Sequence, residues 1–83
     1  MRYTREENEA RRRKLYSFLE ARGDWVSMEE ATDTITEYPA FFRTAYFDSP
    51  ARRQLMRDIE FINDEFSGYE RYVITGVKGI RII

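Results

Sequence analysis

The chain has 83 residues, enough for one domain with one small core and no second one. Cys and His are both absent, which excludes thiol and imidazole nucleophiles, disulfides and Cys/His zinc sites. A net charge of −1 argues against non-specific nucleic-acid binding unless the cations gather on one face.

A 42% hydrophobic content with so small a net charge belongs to a folded domain rather than a disordered chain. No apolar run approaches the ~18 residues of a membrane span. The N-terminus is charged rather than apolar, unlike a signal peptide. The expectation is a soluble, cytoplasmic protein. With no phosphate loop, no catalytic signature and no paired carboxylates, no enzyme activity, cofactor or metal is expected.

Thr4 to Ala21 has the pattern of a first helix. Thr4 with Glu7 three residues on forms a capping box, and Glu6, Glu7 and Glu9 suit the positive end of the helix dipole. Leu15, Phe18 and Leu19 make an apolar stripe at i, i+3 and i+4. One turn earlier the stripe position is Arg11, so the apolar face is expected to cover only the second half of the helix. Arg11, Arg12, Arg13 and Lys14 are the longest charge run, but consecutive residues spread around a helix and form no single patch. Arg12 and Arg13 lie away from the stripe, facing either phosphates or solvent. Gly23 falls where a left-handed C-cap belongs.

Trp25-Val26 is a short β-like pair. Ser27 opens a second helix, with Glu30 completing a capping box and Met28, Ala31, Thr32 and Ile35 on its inner face. The helix is expected to end near Tyr38-Pro39, since a residue before proline leaves the α region. Five aromatics then fall within ten residues: Tyr38, Phe41, Phe42, Tyr46 and Phe47. They have no clean period, and a short helical turn after Pro39 fits there.

Ser49-Pro50 starts a third helix, with Ser as N-cap and Pro at the first helical position. Ala51, Leu55, Ile59, Ile62 and Phe66 share one stripe, the expected core face, and the helix is expected to run to about Ser67-Gly68. Tyr69 to Thr75 and Ile80 to Ile83 are β-rich, with Gly76-Val77-Lys78-Gly79 as the turn between them. Ile82-Ile83 ends in mid-strand pattern with no polar tail, as a domain cut from a longer chain would.

The expected fold is an α+β winged helix spanning residues 1–83 as a single domain. It has three helices, a short strand after the first and a C-terminal hairpin wing. The Trp25-Val26 strand is expected to join the hairpin in a three-stranded sheet, because an isolated hairpin is marginal. Over its second half the chain carries Tyr38-Pro39, Phe47-Asp48-Ser49-Pro50-Ala51-Arg52-Arg53, Asp58-Ile59, Ile62-Asn63, Tyr72-Val73-Ile74-Thr75 and Lys78-Gly79-Ile80. This run resembles a group of small phage and prophage proteins of Gram-positive bacteria. The first half resembles them only in architecture. Most members of the group have no assigned role, so the resemblance speaks for the fold more than for the function.

On the third helix, the side opposite the apolar stripe carries Arg53, Arg57, Glu60 and Asp64, with Arg52 and Gln54 on its flanks. A recognition helix reads base edges with its N-terminal residues. Arg53 and Arg57 suit guanine, Gln54 suits adenine, and Ser49 with the free N–H groups of the first turn suits a phosphate. Lys78 at the wing tip, with Arg81 and Arg71 on the strands, extends the same surface. The competing reading is a solvated face, with Arg57 and Glu60 as a surface pair and Lys78 as a solubility device.

The aromatic segment is either a satellite core, favoured for Phe42 and Phe47, or a docking surface built on Tyr38, Phe41 and Tyr46. The leading function is therefore a module binding double-stranded DNA, a phage or prophage regulator or an accessory factor in replication or excision. The alternative is a winged helix without DNA binding, used to dimerise or to hold a host or phage protein. Mimicry of DNA charge finds little support, because acids and bases are interspersed.

Overall fold

The computed structural model describes residues 3–39 and 49–83. Helix α1 spans Arg5–Arg22, α2 spans Met28–Thr34 and α3 spans Pro50–Asn63. Strands β1, Val73–Gly76, and β2, Gly79–Ile82, close the chain as an antiparallel hairpin in which Gly76 faces Gly79. The domain is a small α+β unit of three helices and a C-terminal hairpin.

The helix ends follow from their caps. The Thr4 hydroxyl accepts from the Glu7 N–H and the Glu7 carboxylate accepts from the Thr4 N–H. This bond to the Thr4 N–H, with the Thr4 hydroxyl beside it, holds the Glu7 carboxyl below its usual range. Gly23 closes α1 at φ 66°, donating to the Leu19 carbonyl. Ser27 caps α2 through the Glu30 N–H, but the Glu30 side chain turns outward to Arg22 at 2.5 Å. Helix α2 stops at Thr34, earlier than expected, and Ile35 to Tyr38 form a turn. Ser49 caps α3 through the Arg52 N–H, with Pro50 in the first turn.

The core joins Leu15 and Leu19 of α1, Ala31 of α2, Leu55, Ile59 and Ile62 of α3, and Val73, Ile80 and Ile82 of the hairpin, with Val26, Ile35 and Tyr38 from the connections. Each large aliphatic among them contributes about 1.5–3 kcal/mol by leaving water.

Three further expectations change. The sheet has two strands, because the 25–26 segment makes only one bridge, Val26 to Ile80, with both N–H···O bonds at 2.8 Å. Ser27 begins capping α2 immediately afterwards, which leaves no length for a third strand. Helix α3 ends at Asn63, not near Ser67-Gly68, and Phe66 is 88% exposed rather than in the core stripe. Side chains of the next residues offer the backbone other partners: Asp64 accepts from the Phe66 N–H and Ser67 donates to the Ile62 carbonyl, so the chain turns instead of winding on. Finally, Arg11 does not interrupt the buried face of α1. It is fully buried within it.

Candidate functional site

The first two turns of α3 present Arg53 and Arg57, both exposed and one turn apart. Pro50, Gln54, Pro39 and Tyr3 adjoin them around an open cleft of about 480 Å³. Glu60 follows Arg57 on the exposed side, so this face turns from basic to acidic along its length. The expected Arg57–Glu60 surface pair does not form among the described residues.

Beneath this face lies a buried polar junction. Arg11 of α1 grips Asp58 of α3 side-on, Nε donating to Oδ2 at 2.6 Å and Nη2 to Oδ1 at 2.8 Å. Both side chains are fully buried. The Tyr38 hydroxyl donates to Oδ2 at 2.5 Å, and longer bonds reach Oδ1 from Gln54 Nε2 at 3.3 Å and Arg12 Nε at 3.4 Å. Arg11 also donates to Asn8 Oδ1 at 2.8 Å, and its guanidinium lies 4.6 Å from the Tyr3 ring centroid and 5.5 Å from that of Tyr38. Burial works against the Arg11 charge, but the hydrogen bonds and charge of Asp58 outweigh it and hold the guanidinium above its usual pKa. Burial, then the adjacent Asp58 charge, pushes the Tyr38 phenol well above its ordinary range.

The structure corrects the expectations for Tyr38 and Ser49. Tyr38, expected on a docking surface, is 5% exposed, with its hydroxyl tied to Asp58. Arg11 and Asp58, absent from the expected site, organise the ground under it. Ser49, expected to hold a phosphate, is 1% exposed with its hydroxyl engaged as the helix cap, so it is closed to a ligand. Gln54 is half committed, its amide nitrogen on Asp58. Arg52 is partly buried and has a partner. Phe41 and Tyr46, and also Phe42 and Phe47, lie outside the described residues.

On the hairpin, Lys78 stands exposed at the two-residue turn beside Val77, which is fully exposed. Arg81 turns away from that tip. Its Nη2 donates to the Gly23 carbonyl at 3.3 Å, Nη1 lies 3.9 Å from Asp24, and its guanidinium sits 5.9 Å from the Trp25 ring. Arg81 therefore anchors the hairpin to the end of α1 instead of extending a wing surface.

Most cations among the described residues are engaged internally. Arg5 pairs with Glu9, Lys14 with Glu37, Arg22 with Glu30 and Arg71 with Glu20. Arg11 and Arg12 converge on Asp58, and Arg12 also stacks 3.7 Å above Phe61. Arg13, Arg53, Arg57 and Lys78 are left without an ion pair or hydrogen bond among the described residues. The three guanidinium groups among them suit a phosphate bidentately, and Lys78 suits it as a point charge, without first breaking an internal pair. Also among the described residues, no acidic cluster suited to a metal ion occurs, and no helix is long and apolar enough to cross a membrane. Comparison with protein-family models, with curated proteins and with solved structures finds no match.

Proposed function

We propose that the domain is a DNA-binding module of winged-helix type, with α3 as recognition helix and the hairpin as wing, serving as a phage or prophage regulator or accessory factor. The observation that carries this reading is the identity of the uncommitted cations. In a protein of net charge −1, Arg53, Arg57 and Lys78 stand on the front of α3 and at the hairpin tip, where a recognition helix and wing would use them. Arg13 on α1 is the fourth among the described residues, available to a flanking phosphate. Arg53 and Arg57 are the residues assigned to DNA contact, with Lys78 at the wing tip.

The test is a gel shift at low salt with a random duplex pool. The wild type is expected to bind, and the pair Arg53→Glu and Arg57→Glu to abolish binding without lowering the melting temperature. Each phosphate contact removed is expected to flatten the dependence of log K on log salt by about 0.9. A wild type that shifts no duplex from any pool sinks the proposal.

A second reading, a protein-interaction domain, is favoured by one observation. Phe61, Phe66, Tyr72 and Ile83 expose between 43% and 88% of their surface. Sedimentation of the wild type beside Phe66→Ser and Tyr72→Ser separates the two. Self-association lost in both variants favours this reading, and a monomer in all three removes its dimer form.

A further inference from the structure

We infer that the cleft between Tyr3, Pro39 and the first turns of α3 takes one unstacked nucleotide, its base against the Tyr3 ring and its phosphate between Arg53 and Arg57. The inference rests on the nucleic-acid reading above and deepens it by naming the form of strand the site takes.

The charge pattern of α3 is the first argument. A recognition helix meets nucleic acid chiefly through its N-terminal turns. On α3 the exposed cations are followed by Glu60 and then Asp64, acids that oppose a phosphate backbone lying along the whole face. A single nucleotide needs only the basic half.

The shape of the site is the second. Arg53 and Arg57 border a concavity of about 480 Å³ at the start of α3. That lies within the roughly 300–1,000 Å³ of small-ligand pockets. A duplex offers base edges to a ridge. A strand with an unpaired base offers a flat ring to a cleft.

The lining supplies the matching chemistry. Tyr3 is half-buried and packs on the Arg11 guanidinium, which Asp58 fixes in turn, so the ring is braced from one side. Gln54 is held by the same carboxylate through its amide nitrogen. Its carbonyl oxygen makes no hydrogen bond among the described residues and can accept from a base N–H. The two arginines, one turn apart, complement the phosphate. The buried Arg11–Asp58 pair thus positions both the stacking wall and the acceptor.

Fluorescence anisotropy at one low salt concentration tests this with three labelled DNAs: a perfect duplex, the same duplex with a one-nucleotide bulge, and that bulge made abasic. The bulged duplex is expected to bind roughly ten-fold tighter than the perfect one, the scale of stacking one base on an aromatic ring. The abasic bulge, equally bent but without a base, is expected to fall back to the value of the perfect duplex. Tyr3→Ala should erase the preference for the bulge over the abasic bulge, whereas Tyr3→Phe should retain it. Equal binding to bulged and abasic DNA overturns the inference and leaves the DNA-binding reading standing. No binding to any of the three overturns both.

Discussion

Arg11 and Asp58 form a side-on ion pair across the α1–α3 interface, both side chains fully buried. Removing one member strands a charge in the core, and breaking a buried pair costs about 3–5 kcal/mol. Asp58→Ala and Arg11→Ala are each expected to lose stability on that scale in urea denaturation. Arg11→Met combined with Asp58→Leu leaves no stranded charge and is expected to be more stable than either single variant. Single losses below about 1 kcal/mol would mean that the pair behaves like a surface salt bridge, against the burial described.

Tyr38 carries a pH prediction whose sign follows from its raised pKa. In the folded protein the phenol keeps its proton beyond the pH at which an unfolded tyrosine, near pH ~10, releases it. The folded state therefore binds more protons above that pH, and stability falls as pH rises. The contribution is complete below about pH 10 and declines above it. Tyr38→Phe removes this ionisation, so its denaturation midpoint is expected to vary less between pH 9 and pH 11 than that of the wild type. Equal alkaline slopes for the two proteins would contradict the assignment. At neutral pH the variant should be the less stable, by about 1–3 kcal/mol, for loss of a hydrogen bond to a buried carboxylate.

The local rules read correctly from the sequence. Thr4, Gly23, Ser27 and Ser49 act as caps, and the stripe Ala51, Leu55, Ile59, Ile62 is buried, because each depends on residues within one helical turn. What sequence periodicity did not yield was long-range. Arg11 occupies the position four before Leu15, and Asp58 lies three after Leu55 and four before Ile62. Each is a charged residue on an otherwise apolar face, and opposite charges at such positions on two helices are the signal of a buried pair. Periodicity alone assigns a charge to solvent, so Arg11 reads as the end of the stripe. Tyr38 reads as a docking-surface aromatic for the same reason, since its partner lies 20 residues away. The end of α3 is hidden from periodicity because Asn63, Asp64 and Ser67 turn their side chains to the backbone, a competition that apolar spacing does not register.

Gly79 and Gly23 should differ sharply on substitution by alanine. Gly23 adopts φ 66° with nothing within 4 Å of a Cβ, so Gly23→Ala carries only the left-handed penalty of about 1–2 kcal/mol. Gly79, at φ 121°, would place a Cβ 2.1 Å from the Val26 carbonyl oxygen and 2.8 Å from Ser27 Cα. Both are backbone atoms held by the Val26–Ile80 bridge, so relief requires breaking that bridge. Gly79→Ala is expected to cost at least about 3 kcal/mol, in the tail of single-residue effects. Thermal melts of the two variants provide the check, and a Gly79→Ala midpoint at or above that of Gly23→Ala would contradict the close approach.

Asn63 stands in for a missing strand. Its Nδ2 donates to the Val73 carbonyl at 2.9 Å and its Oδ1 accepts from the Val73 N–H at 2.8 Å, the pattern a neighbouring strand would supply. The Ile83 N–H already donates to the Tyr72 carbonyl across the hairpin, so Val73 turns its polar groups to the outer edge of β1. Without Asn63 that edge would present an unpaired donor and acceptor beside a buried side chain, the condition that favours pairing with another chain. Asn63→Ala is expected to lose about 1–3 kcal/mol, the scale of an unsatisfied buried group. It should also speed amide exchange at Val73 and introduce concentration-dependent association in sedimentation. Asn63→Asp keeps the acceptor but loses the donor, so it should protect the Val73 amide better than alanine does while leaving the carbonyl unpaired. Unchanged exchange at Val73 in Asn63→Ala would show that the side-chain amide does not brace the strand.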